Sequence, residues 1–140
     1  MEDFERSDYY EEMADSIMQE EPLLVPICND GVKIVCVCSD KVKIDENKKA
    51  VFAECEKIPP KFKWATNADC MIIIYKNNVL YFSEEQKRIM LFRELLKIEC
   101  DAREGIKHIT IRDYDLKDFR CIVERYGANW SRGKELFDEN

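Results

Sequence analysis

The stretch FSEEQKRIMLFRELLKIE, residues 82–99, constrains the chain more than any other. It opens with a helix-start signal: the Ser83 hydroxyl can accept from the backbone N–H three residues on, and Gln86 can reach back to the cap. Glu84 and Glu85 fill the first turn, where the positive end of the helix dipole favours carboxylates. Ile89, Phe92 and Leu96 recur at helical spacing, as do Leu91, Leu95 and Ile98, so most of the circumference is apolar. A helix of that kind is a buried one. Arg93, Glu94 and Lys97 nevertheless interrupt the run, and a charge buried without a partner is costly. The sequence thus predicts a buried helix that must also accommodate charge.

The flanking segments predict what this helix packs against. Acids crowd residues 2–20, and Phe4, Tyr9, Met13 and Ile17 fall among them near helical spacing, which predicts a short amphipathic helix docked on the body or offered to a partner. Pro22 breaks that helix and Pro26 predicts an extended segment. After the Asn29-Asp30-Gly31 turn signal, residues 32–39 read as a strand, and residues 50–55 as a second one beyond a polar turn. Residues 57–63 form a Lys-rich connection, with Phe62 and Trp64 expected to anchor it. Residues 71–75 are nearly continuous apolar, the pattern of a central strand. Beyond the long helix, residues 101–107 read as a polar loop, 108–111 as a short strand and 115–126 as a last helix. In that helix Leu116, Phe119, Ile122 and Val123 share a face, and Gly127 supplies the stop. This order predicts an α+β domain. The expected division is an acidic helical segment over residues 1–22 and the domain proper over 23–140.

Charge and cysteine usage narrow the function classes. The formal net charge of -7 argues against binding nucleic acid through its phosphates; it permits steering toward a protein partner with a basic surface, and equally serves solubility alone. No apolar run approaches the ~20 residues of a membrane helix. Acids rather than a charged-then-apolar leader follow Met1. Seven cysteines, an odd and scattered set, predict free thiols in a reducing, cytoplasmic compartment. Most of them are expected to serve as small core hydrophobes. No glycine-rich phosphate loop is present, and no cofactor is expected.

Four pieces together resemble a known family: KAVFAECEKI, ADCMIIIY, SEEQKRIMLFRELLKIE and DYDLKDFRCIVERYGANW. They are similar to the metallopeptidases of bacteriophages and other mobile elements, which are zincin-like, and the likeness covers about residues 36–130. The resemblance implies a small mixed or antiparallel sheet packed on a long active-site-type helix, plus a C-terminal helix. It also implies a zinc site: the family's long helix carries H-E-x-x-H, two histidines one turn apart with a general base between them. A third histidine precedes the last helix. Carried onto this sequence, the helix ligands fall on Arg93 and Lys97, and the third falls on Tyr114. The base position is kept as Glu94, and the acid after the third ligand as Asp115.

All three ligand positions are therefore replaced, two of them by cations, and His108 is the sole histidine in the chain. The expectation is a degenerate member with no metal ligands and no catalytic residue. In it, Arg93, Glu94, Lys97, Tyr114 and Asp115 form a vestigial polar cluster pinning two helices, or Arg93 and Lys97 instead extend to solvent along an open cleft. Such a protein is expected to be a non-catalytic binding module. If its setting is a phage or mobile element, the partner implied is a host or defence protein in the host cytoplasm. Two alternatives stay open at this point: a structural or homo-oligomeric subunit, and a hydrolase with a rearranged metal or cysteine site involving His108.

Overall fold

The computed structural model describes residues 3–62, 64–112, 120–126 and 130. In chain order, β1 (Phe4–Arg6) leads into α1 (Asp8–Glu20), a short 3-10 turn (Pro22–Leu24) and α2 (Val25–Asn29). Then come β2 (Ile34–Ser39), β3 (Ala53–Lys57), a second 3-10 turn (Pro60–Phe62), β4 (Cys70–Tyr75) and α3 (Glu84–Leu95). A hairpin of β5 (Ile98–Arg103) and β6 (Ile106–Ile111) and the helix α4 (Arg120–Tyr126) complete the described elements. The class is α+β, as expected.

Four strands form one mixed sheet in the order β1-β2-β4-β3. β2 and β4 run parallel, with Cys36 beside Ile72 and Cys38 beside Ile74, while β1 and β3 are antiparallel to their neighbours. The expected central strand, β4, is central. Side chains alternate across a sheet, so Cys36, Cys70, Ile72, Ile74, Ala53 and Cys55 share one face, and all six are buried in the core. Against this face lie α1, through Tyr10, Met13, Ala14, Ile17 and Met18, and α3, through Ile89 to Phe92, Leu95 and Leu96. The amphipathic N-terminal helix is thus docked on the body. Among the described residues, no helix is long and apolar enough to cross a membrane.

The start of α3 follows its sequence signal. Ser83 accepts from the Gln86 N–H at 3.2 Å and Gln86 Oε1 accepts from the Ser83 N–H at 2.8 Å, a complete capping box. Its end does not. The helix stops at Leu95, with the Leu96 N–H still bonded to the Phe92 carbonyl at 3.0 Å, because Ile98 begins a strand paired with Ile111. Lys97 therefore sits in the turn after the helix.

Several other expectations are corrected. Phe4 is on a strand: Ser7 caps the helix from outside, accepting from the Tyr10 N–H, and the residues before it pair with Val37 to Ser39. Pro22 and Pro26 open short helical turns instead of an extended segment, because proline's fixed φ suits a first turn. The second strand runs Ala53–Lys57, and Ala50 only bridges Ile44. Residues 101–107 are not a loop but part of a hairpin, closed by Glu104 (φ 54°) and Gly105 (φ 78°). Two consecutive positive φ values match the right-handed strand twist, and Asp101 and Arg103 are exposed on the hairpin's solvent side. Phe62 and Trp64 are not anchors; they are 45% and 86% exposed, projected outward by the turn in which Ala65 N–H donates to the Phe62 carbonyl. Of the last predicted helix, the portion at residues 115–119 and Gly127 lie outside the described residues.

Because Leu95 is fully buried and Leu80 is 65% exposed, the two should respond very differently to truncation. Leu95→Ala should cost about 2–5 kcal/mol and Leu80→Ala under about 0.5 kcal/mol, measured by urea denaturation. Equal losses would contradict this packing.

Candidate functional site

The inherited site lies on the last turn of α3 where that helix crosses the edge strand β3. Burial of the surrounding Met90, Leu91, Leu95 and Cys55 leaves little room for unpaired charge. Glu94 is 0% exposed, yet its Oε1 lies 2.7 Å from Lys97 Nζ, whose side chain is 13% exposed. The turn after Leu95 makes this possible, since it lets Lys97 fold back by three residues instead of pointing along the helix. The pair thereby satisfies the polar requirement that the sequence imposed. No buried side-chain nitrogen or oxygen of the described residues lacks a hydrogen-bond partner.

Arg93 takes a different direction. Half-buried, it places its guanidinium carbon 6.0 Å from the centroid of the Trp130 ring, within the range of a cation–π contact. Trp130 is itself buried in an edge-to-face trio with Phe52 and Phe82, at centroid distances of 6.1 and 6.2 Å. Gln86, the capping residue, also reaches the Trp130 carbonyl at 3.4 Å. Tyr114 and Asp115, the remaining members of the expected cluster, lie outside the described residues.

Behind the Glu94–Lys97 pair are two thiols on adjacent strands. The Cys55 thiol is pushed well up, first by its hydrogen bond to Cys70, then by burial, with the negative field of Glu94 adding to both. A thiol held protonated is a poor nucleophile. His108 is exposed on β6, opposite Asp101 in the hairpin register. On the other face of β3, burial alone would raise the Glu54 carboxyl, but hydrogen bonds from Lys43 and Tyr75 hold it below its ordinary value. Sequence reasoning missed Trp130 as the contact of Arg93, and also a second buried ion pair. Asp69, 4% exposed, accepts from Lys107 Nζ at 2.8 Å and from the Lys33 N–H at 2.9 Å. An isolated acid just before an apolar strand was the available signal.

A family profile described as "Putative phage metallopeptidase" matches residues 2–138, nearly the whole chain. The chain belongs to this family. Comparison with curated proteins gave no match, and comparison with solved structures gave none either. The zinc that the phage metallopeptidase family implies does not fit the donors found here. A zinc ion takes thiolate, imidazole or carboxylate ligands. Arg93 and Lys97 offer it only cations, and the carboxylate of Glu94 is already bound by an ammonium. Among the described residues, no three His, Cys, Asp or Glu side chains converge as a metal site would require.

Removing one member of the pair leaves a buried charge uncompensated. Lys97→Met should therefore lower stability by about 3–5 kcal/mol, and adding Glu94→Leu should recover much of that loss. Chemical denaturation of the two single variants and the double variant measures both. A Lys97→Met variant as stable as the parent would show that the pair is not a buried one.

Proposed function

We propose that this member of the phage metallopeptidase family is a non-catalytic, zincin-like protein-binding module. In this reading it acts in the host cytoplasm by occupying a host or defence protein. One observation supports it above the rest: the carboxylate at the general-base position is committed to a buried ion pair with Lys97. The ammonium that pairs with this carboxylate offers no coordination position for a water, whereas a zinc ion beside a general base would bind and polarise one. The net charge of -7 favours a partner whose contact surface is basic, with the field steering encounter. Glu12, Asp15 and Glu20, all on α1, are outward-facing sources of that field.

The test combines an assay for turnover with one for binding. Peptide-pool hydrolysis by the purified full chain should be absent with and without added zinc. A discrete host protein should be retained by the immobilised chain and released as salt rises through the range that shortens the Debye length from about 10 Å to about 3 Å. Hydrolysis that disappears in a folded Glu94→Gln variant would contradict the proposal.

A further inference from the structure

On β2 the peptide groups alternate between the two edges of the strand. The Lys33 carbonyl accepts from the Cys70 N–H at 3.2 Å on the β4 side, whereas the Cys36 carbonyl accepts from the Ser7 N–H at 2.9 Å on the β1 side. Ile34 has the same parity as Cys36, so its N–H and C=O face the β1 side. There the row is empty. β1 ends at Arg6, opposite Val37, and Ser7 turns the chain into α1. Among the described residues, no backbone hydrogen bond reaches Ile34 from that side. An open strand edge of this kind is a template for another strand.

A cleft of about 560 Å³ occupies the vacant row. Its floor is the 32–35 segment of β2, one end is formed by Arg6 and Asp15, and the other by the loop from Trp64 to Ala68. The loop's composition is unlike the rest of the chain. The connection it belongs to, residues 58–68, contains two lysines and no acid, in a protein of net charge -7, and it presents Trp64 at 86% exposure beside the cleft. Lys33 adds an exposed ammonium on the floor.

We propose that this cleft binds an extended acidic peptide segment of a partner protein, which adds as a strand antiparallel to β2, in line with β1. Its backbone would bond to Ile34, its acidic side chains would face Lys33, and Trp64 would cover one side chain. This is strand addition with pockets for alternate side chains. Single-stranded nucleic acid fits less well, because its backbone carries no alternating N–H and C=O groups to pair with the open row at Ile34. The proposal concerns the charge local to this cleft and not the acidic outer face of α1 that favours a basic surface elsewhere on a partner. It does not depend on the fate of Glu94, so it stands or falls separately from the non-catalytic reading.

The experiment exposes the isotopically labelled full chain to a pool of peptides of about six residues, alternating Asp or Glu with random residues. A pool with Lys or Arg at the same positions and a thymidine oligonucleotide serve as comparisons. The acidic pool should yield retained peptides that protect the Ile34 amide from exchange and shift Trp64 fluorescence to the blue. Their affinity should fall about tenfold or more in Trp64→Ala and in Lys33→Glu. N-methylation of alternate peptide amides should abolish binding. Both substituted side chains are exposed, so the variants should keep the parent's circular dichroism. The proposal is overturned if the acidic pool yields no retained peptide, or if Ile34 exchange is unchanged on binding. It is equally overturned if the oligonucleotide or the basic pool binds as well as the acidic one.

Discussion

The buried contact between Glu94 and Lys97 is the interaction on which the rest of this structure depends. α3 can lie against the sheet only if the carboxylate on its inward side is compensated. At 0% exposure Glu94 has no access to bulk solvent, and the ammonium 2.7 Å away supplies the compensation. In the metallopeptidases that this chain resembles, a cation at the corresponding place is a zinc ion. Here Lys97, which the family resemblance aligns with a ligand position, supplies the positive charge. On the non-catalytic reading proposed above, this pair meets the electrostatic need of the helix without the chemistry that a metal would bring. A buried pair of this kind is weak evidence for added stability over an apolar alternative, but breaking it is expensive. It follows that Lys97 and Glu94 constrain each other.

The geometry around the pair explains why the two cations do not act alike. Lys97 lies beyond the helix end, where the chain bends to start β5, and from there it can fold back on Glu94. Arg93, still within the last turn, meets Trp130 and the aromatic trio that closes that end of the core. Arginine suits the second place because its planar guanidinium can lie over a ring, and lysine the first because its ammonium is a compact charge. α1 holds the opposite flank of α3 through Tyr9, which bonds to Glu84, and through Arg88 paired with Glu20 at 2.8 Å. These exposed contacts orient the helices more than they stabilise them.

Much of this was legible in the sequence because it rests on local rules. The capping box at Ser83 and Gln86, the continuous apolar strand at 71–75 and the burial of the long helix all came from spacing and side-chain type. Features set by pairing partners far along the chain were not legible. Phe4 fits a helical stripe, yet it belongs to a strand because residues 37–39 offer it an edge. The polar residues 101–107 read as a loop because a two-stranded hairpin with one solvated side shows little apolar alternation. Trp64 was expected to anchor its connection, and no local rule signals that the turn after Pro60 points it outward. At the candidate site, the sequence supplied Arg93, Glu94 and Lys97 but placed both cations one helical turn apart. The early end of α3 at Leu95 puts Lys97 in the turn from which it reaches Glu94.

The claim that an internal ammonium has taken the place of a metal is tested most directly by elemental mass spectrometry of the purified, untagged protein after incubation with zinc and extensive dialysis. The account predicts a zinc stoichiometry near zero, because the positions that would hold the ion carry cations and Glu94 is already paired. One zinc retained per chain would contradict it and would move the search for ligands to His108 and the cysteines.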